Sequence, residues 1–177
     1  MKFILLGLLI INLCSCNGIG QIQYGYGEPI LLGSALNERG SGQPIDLHNI
    51  SVKVGKNLFN GELTAFDIFV GGFVAIPEAH ESGIGGGGLI TPRILYNKFK
   101  IKPFVAIDLG IGFFDWDAQG SDLNFLVGGG PGLLLPINDR LAGTTSVLLF
   151  HLSNAGLDDR NPGLNSDVLT FGLEYKF

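Results

Sequence analysis

The chain has few cysteines and few charged residues, and it lacks a basic surface. Its 177 residues include two cysteines, Cys14 and Cys16, and both lie near the N-terminus, so the remainder has no internal disulfide. Charged residues make up 15% of the chain, and the net charge of -5 provides no basic stripe for a phosphate backbone. These absences exclude a disulfide-stabilised domain and predict no nucleic-acid partner.

The composition is also poor for helices. The chain contains 28 glycines among 46% hydrophobic residues, and beyond its N-terminus no stretch reaches the roughly 18 apolar residues of a membrane helix. A Gly-x-Gly-x-x-Gly pattern at 83–88 precedes Pro92 and strand-like residues, where a dinucleotide site would require a helix. We therefore predict an all-β protein with no cofactor and no metal.

The N-terminus has the pattern of an export signal. Lys2 precedes an apolar run, and Leu13-Cys14-Ser15-Cys16 follows it. Two alternatives are open: a lipoprotein signal in which Cys16 is acylated, or ordinary cleavage before Gln21. The predicted organisation is a signal peptide over 1–20 and one barrel domain over 21–177.

Apolar segments recur along the rest of the chain, separated by polar and turn-forming residues. An even number of strands, closed on itself, leaves no unpaired edge in lipid. The sequence therefore predicts an eight-stranded antiparallel transmembrane β-barrel of the bacterial outer membrane. The predicted strands are 19–36, 47–55, 62–76, 84–96, 99–114, 123–137, 140–153 and 166–177.

The last predicted strand has the clearest alternation of apolar and polar residues. Leu169, Phe171, Leu173, Tyr175 and Phe177 share one face, and polar residues or glycine occupy the other. A strand of a soluble sandwich can alternate in the same way. An aromatic residue at the end of the chain resembles the assembly signal of outer-membrane barrels and favours the barrel.

Connection lengths predict the orientation of the barrel. Asn97-Lys98 and Asn138-Asp139 are predicted to be two-residue turns, whereas the alternate connections at 37–46, 77–83, 115–122 and 154–165 are longer. Outer-membrane barrels place short turns in the periplasm and long loops outside. The seventh strand then carries His151 and Ser153 to the external rim.

The sequence His151-Leu152-Ser153-Asn154-Ala155-Gly156 contains a candidate catalytic pair. Residues i and i+2 of a strand share a face, so His151 can accept a proton from Ser153 as its oxygen attacks an ester. With Asn161-x-Gly163 downstream, the run resembles lipid A 3-O-deacylases of the PagL type. The resemblance implies Ser153 as nucleophile, His151 as base, and an oxyanion site at Asn161 and the backbone of residues 154–156.

The third member of the predicted triad differs from the family pattern. The family has a glutamate twelve residues after the nucleophile, where this chain has Asn165. Asp167 shares the face of Asn165, and a hairpin with Ser153 opposite Asn165 would place Asp167 opposite His151. Asp167 and Asn165 are therefore both candidates for orienting His151.

Two functions follow as hypotheses. The first is a membrane-embedded esterase that removes an acyl chain from lipid A, or lipopolysaccharide, in the outer leaflet. The alternative is a non-catalytic small barrel that acts in adhesion or membrane integrity. Pairing of the barrel as a homodimer is left open, and the sequence suggests no partner for His48.

Overall fold

The computed structural model describes residues 18–28, 43–78, 83–116, 121–159, 161 and 163–177, and all of its regular structure is β-strand. Within these residues, no helix is long and apolar enough to cross a membrane. The strands are β1 (Gly18–Glu28), β2 (Gln43–Pro44), β3 (Leu47–Asn60), β4 (Thr64–Pro77), β5 (Gly85–Tyr96), β6 (Lys102–Phe114), β7 (Leu123–Pro136), β8 (Leu141–Ser153) and β9 (Leu164–Lys176).

The eight long strands form one closed antiparallel sheet. Each pairs with its neighbour in chain order, and β1 pairs with β9 to close the barrel. The two-residue strand β2 pairs in parallel with the start of β9, beyond the end of β1. The predicted eight-stranded antiparallel barrel is thus confirmed.

Several predicted boundaries need correction. The first strand is predicted over 19–36; the structure describes it over Gly18–Glu28, and residues 29–42 lie outside the described part of the chain. The connections at 97–101 and 137–140 have five and four residues, so neither is a two-residue turn. The Asn138 side chain accounts for one difference, because its Oδ1 accepts the Arg140 and Leu141 N–H groups at 2.9 Å.

The two ends of the barrel differ in the length of their connections. The turn end carries the connections 61–63, 97–101 and 137–140, and the loop end carries 78–84, 115–122 and 154–163. In outer-membrane barrels, short turns face the periplasm and longer loops face outward.

Side chains that point outward from the middle of the barrel are apolar. Alternation along each strand places them on the outer face, where closure of the sheet leaves no unpaired edge. Such a surface suits contact with lipid chains. Exposed members include Ile22, Ile50, Val52, Val105, Ile107, Leu109, Ile111, Val127, Leu169, Phe171 and Leu173.

The interior is packed with side chains. Towards the loop end it holds a buried apolar cluster that includes Phe114, Trp116 and Leu152. Two cavities in the middle of the interior measure only about 20 Å³ and 10 Å³, which is close to the volume needed for a single water. The middle of the barrel is therefore filled, as expected for eight strands.

Towards the turn end the interior is held by buried ion pairs. Arg93 bonds Asp67 and Glu174, each at 2.7 Å, and its guanidinium lies 4.7 Å from the centre of the Phe69 ring. In a second pair Lys53 lies 3.1 Å from Asp108, which also accepts a hydrogen bond from Thr91. These bonds connect five strands across the interior, and each of the charges that take part has a partner of opposite sign.

Candidate active site

His151 and Ser153 lie on the outer face of β8, at the loop end of the barrel. Both are half-buried, and they continue the outward-facing series that contains the exposed Val147. On the neighbouring strand β7, Val127 pairs with His151 and Phe125 pairs with Ser153. The polar pair therefore borders an apolar outer wall, so a reacting group must approach it from outside the barrel.

The His151 ring is held by Asn165. Its Nδ1 lies 2.7 Å from Asn165 Oδ1, and His151 pairs directly with Asn165 across the β8–β9 hairpin. The sequence suggested a hairpin register with Ser153 opposite Asn165. The observed register differs from it by two residues. Asp167 instead pairs with Leu149, so the structure brings Asn165 rather than Asp167 to the histidine.

The bond to Asn165 defines the tautomer of His151. An amide oxygen can only accept, so Nδ1 carries the proton and Nε2 of the neutral ring does not. Within the described residues, Nε2 has no hydrogen-bond partner, and no hydrogen bond joins His151 to Ser153. Loose contacts between catalytic groups are common before substrate binds. His151 therefore has an available nitrogen on the side opposite its anchor.

The predicted oxyanion residues form a tight turn after β8. Leu157 N–H donates to the Asn154 carbonyl at 3.0 Å, with positive φ angles of 53° at Ala155 and 80° at Gly156. Two such central residues are typical of a type I′ turn. Gly156 N–H also donates to Asn154 Oδ1 at 2.9 Å, so the fully buried Asn154 fixes the turn with its own side chain.

Asn161 anchors the other side of this turn. Its Oδ1 accepts the Asn154 N–H at 2.9 Å, which occupies that backbone donor and orients the Asn161 amide. The Asn161 NH₂ group then points away from the bond and is a candidate donor to an oxyanion. The backbone N–H of Ala155 makes no hydrogen bond within the described residues and is the second candidate.

A groove extends along the outer wall from this site. Paired residues run across the sheet from Ser153 through Phe125 to Ile111, and then to Gly88 and Gly72. The wall around this row contains a groove of about 910 Å³ whose lining includes Phe125, Gly88 and Gly72. Gly88 and Gly72 lie on the third and fourth strands from Ser153 along this row, and because they have no side chains they leave that part of the wall open.

Gly72 and Gly88 are not required for packing. A Cβ built on Gly88 would come no closer than 3.8 Å to Gly71 O, and one on Gly72 no closer than 3.4 Å to Gly87 O. By contrast, a Cβ on Gly71 or Gly87 would lie 2.1 Å from a backbone oxygen. The barrel thus needs glycine at positions 71 and 87. At Gly72 and Gly88, by contrast, there is space for a larger side chain.

A second histidine cluster at the loop end was missed by the sequence prediction. His48 Nδ1 lies 2.6 Å from the Tyr24 hydroxyl, and His48 Nε2 lies 2.6 Å from a Glu78 carboxylate oxygen. The Tyr26 ring packs 5.2 Å from the imidazole. These contacts join β1, β3 and the residue after β4, so no local sequence spacing could have predicted them. No group of three or more metal-ligating side chains occurs in the described residues.

The chain matches a protein family over a range that includes β8 and most of β9. The model of the family described as lipid A 3-O-deacylase (PagL) matches residues 48–174. The chain belongs to this lipid A 3-O-deacylase family. Family members are hydrolases, and the match includes both His48 and His151 and the whole β8–β9 hairpin apart from its last residues.

Solved structures show the same fold. The outer membrane enzyme PagL superposes with a TM-score of 0.67 at 19% identity, covering 86% of this chain and 97% of that one. Neisserial surface protein A superposes with a TM-score of 0.58 at 13% identity, covering 90% and 97%. Ail of Yersinia pestis gives 0.52 at 10% identity, covering 92% and 99%. No curated protein sequence matches the chain significantly.

These relatives establish the class of the protein and its location. It is an outer-membrane β-barrel of the lipid A deacylase type. At these identities, the solved structures support the fold, and the family match supports the deacylase class. The roles of individual side chains rest on the geometry described above.

Proposed function

We propose that the protein is a serine esterase that removes an ester-linked acyl chain from lipid A in the outer leaflet. The observation that carries this proposal is the bond between His151 and Asn165, which leaves Nε2 available on the strand face that His151 shares with Ser153. In this mechanism Ser153 Oγ attacks the ester carbonyl while His151 Nε2 accepts its proton. The same nitrogen returns the proton to the departing sugar hydroxyl, and water then releases the acyl chain from Ser153.

Asn165 supplies orientation but no charge. An amide in the third position can hold the imidazole ring, as in Cys-His-Asn sites, but it cannot stabilise an imidazolium as a carboxylate does. We therefore assign the orienting role to Asn165 rather than to Asp167. The lack of a carboxylate predicts an enzyme slower than one with a glutamate at position 165.

The oxyanion that forms on the ester oxygen needs preorganised donors. We assign this role to the Asn161 NH₂ group and the Ala155 N–H, because the Asn154 N–H is already bonded to Asn161. Asn154 and Gly156 act indirectly by fixing the turn. A donor of this kind typically contributes about 10²–10³ in rate.

The groove lined by Gly72 and Gly88 is the proposed site of the acyl chain. It crosses the strands from β7 to β3, four interstrand spacings of about 4.8 Å each, or roughly 19 Å. One leaflet of the hydrocarbon core is about 15 Å thick, so the groove is long enough for one lipid chain. A substrate can then bind with its ester at Ser153 while its tail remains among lipid.

Mass spectrometry of lipid A provides the test. We expect cells that express the wild-type protein to lose an acyl chain from lipid A, and cells that express Ser153→Ala to keep it. Thr145→Ala, a substitution of another outward hydroxyl on the same strand, is the matched control and should leave deacylation unchanged. Identical lipid A in wild-type and Ser153→Ala cells, with both barrels folded in the membrane, would support the non-catalytic alternative.

A further inference from the structure

The turn end of the barrel contains a cavity that the proposed esterase does not use. It measures about 630 Å³, within the range typical of small-ligand sites. The Arg93 ion pairs form its inner end, while Leu95 and Leu134 provide apolar wall. We call this space the vestibule. It lies at the opposite end of the barrel from Ser153.

The vestibule has an excess of positive charge. Its lining includes the side chains of Arg93, Lys102, Arg140 and Lys176 against the carboxylates of Asp67 and Glu174. Asp67 and Glu174 are both bonded to Arg93. The excess of positive charge therefore comes from the cations nearer the mouth, which are Lys102, Arg140 and Lys176.

The cations at the mouth are not neutralised by the protein. Within the described residues, the side chains of Arg140 and Lys176 form no hydrogen bond or ion pair. Lys102 donates only to the neutral Asn97 Oδ1, at 3.1 Å. Arg140 and Lys176 are held together by the backbone, because Lys176 N–H donates to the Arg140 carbonyl at 2.8 Å. The mouth thus presents donors and positive charge.

We propose that the vestibule binds a small oxyanion of two or more negative charges, bearing phosphate or carboxylate groups. Arginine and lysine donate to such groups, and a partly enclosed cavity strengthens the attraction relative to open water. In an outer-membrane barrel this end faces the periplasm, so the ligand is a periplasmic solute. The site is independent of Ser153 and of any deacylase activity.

Isothermal titration calorimetry with the full barrel tests the proposal. A maltoside detergent is suitable because its neutral headgroups do not compete for the site. Inorganic pyrophosphate and citrate are the two probes, one for each oxyanion class. We expect saturable binding to the wild-type protein, about tenfold weaker binding to Arg140→Gln/Lys176→Gln, and weakening by added salt. Binding of one probe alone supports the site and identifies the class of its ligand.

The matched control removes two charges from the same end of the barrel. Lys98 and Lys100 are exposed in the connection 97–101 and do not line the vestibule. Lys98→Gln/Lys100→Gln should bind both probes as the wild type does. Equal weakening in the two double variants, or no binding of either probe to the wild type, would overturn the proposal.

Discussion

Among the described residues, two histidines lie on the outer face at the loop end, and they differ in which ring nitrogens are already bonded. His48 has both ring nitrogens bonded, one to Tyr24 and one to Glu78. His151 has one nitrogen bonded to Asn165, and its other nitrogen has no partner within the described residues. His48 is bonded to a carboxylate, that of Glu78, which is the kind of partner expected for the histidine of a catalytic triad. Proton transfer requires an accessible nitrogen, however, and this favours His151 as the base.

The difference also indicates what the His48 cluster does. Its bonds connect Tyr24 on β1, His48 on β3 and Glu78 after β4, which ties three strands together at their ends. Such a chain satisfies polar side chains beside lipid and limits fraying of the barrel rim. We interpret it as structural, in contrast to the incomplete bonding around His151.

The largest expected effect is tested by replacing each of the two histidines with glutamine, in separate variants. His151→Gln should lower lipid A deacylation by roughly 10³-fold or more, because the serine loses its general base. His48→Gln should leave the rate unchanged and should reduce barrel stability instead. Mass spectrometry of lipid A and heat-dependent gel mobility measure the two effects. Loss of deacylation in a folded His48→Gln barrel would reverse our assignment.

Asn161 should have the next largest effect. Asn161→Ala removes the proposed oxyanion donor and the acceptor that holds the Asn154 N–H, so we expect a loss of about 10²–10³-fold in rate. Asn161→Asp keeps the acceptor but lacks the NH₂ donor, and it separates the two roles. Activity close to wild type in Asn161→Asp would show that the amide only supports the turn.

Substitutions of Asn165 should change the deacylation rate less, and the direction should depend on the residue introduced. Asn165→Ala removes one hydrogen bond to His151 and should slow deacylation by about tenfold, equivalent to roughly 1.4 kcal/mol. Asn165→Glu supplies a carboxylate for the imidazolium and should increase the rate. Asp167→Asn is the matched comparison, and a larger loss in it than in Asn165→Ala would move the orienting role to Asp167.

The smallest expected effect concerns chain selection. Gly88→Leu fills the middle of the groove, three strands from Ser153, and its Cβ meets no close backbone atom, so the barrel should fold normally. We expect it to shift preference towards shorter acyl chains by a few fold, because a lost methylene contact contributes about 0.8 kcal/mol. Gly143→Ala, at another outward-facing glycine with open space, controls for the added side chain. An unchanged chain-length profile would argue against the groove.

Much of the fold could be predicted because the barrel follows local alternation. Apolar residues recur every second position in β9, and the same rule identifies the other strands without long-range information. Strand ends were less predictable, since the Asn138 side chain lengthens one turn by capping two backbone N–H groups. Residues 29–36 of the first predicted strand lie outside the described residues, and the signal peptide over 1–20 stays a prediction.

The site could be predicted only in part. The His-x-Ser spacing identified the pair on β8, because a two-residue period is a local property. The partner of His151 depends instead on the β8–β9 register, which is set by a loop with positive φ at Ala155, Gly156 and Gly163. The His48 cluster joins three strands through their pairing, and no spacing within one strand indicates it.

The filled interior of the barrel has a consequence for the cell. With buried ion pairs in one half and aromatic packing in the other, the described interior offers no continuous water path for ions. We expect the reconstituted barrel to show no conductance in planar bilayers. A cell can therefore accumulate many copies in its outer membrane and modify its surface lipids without weakening that membrane as a permeability barrier.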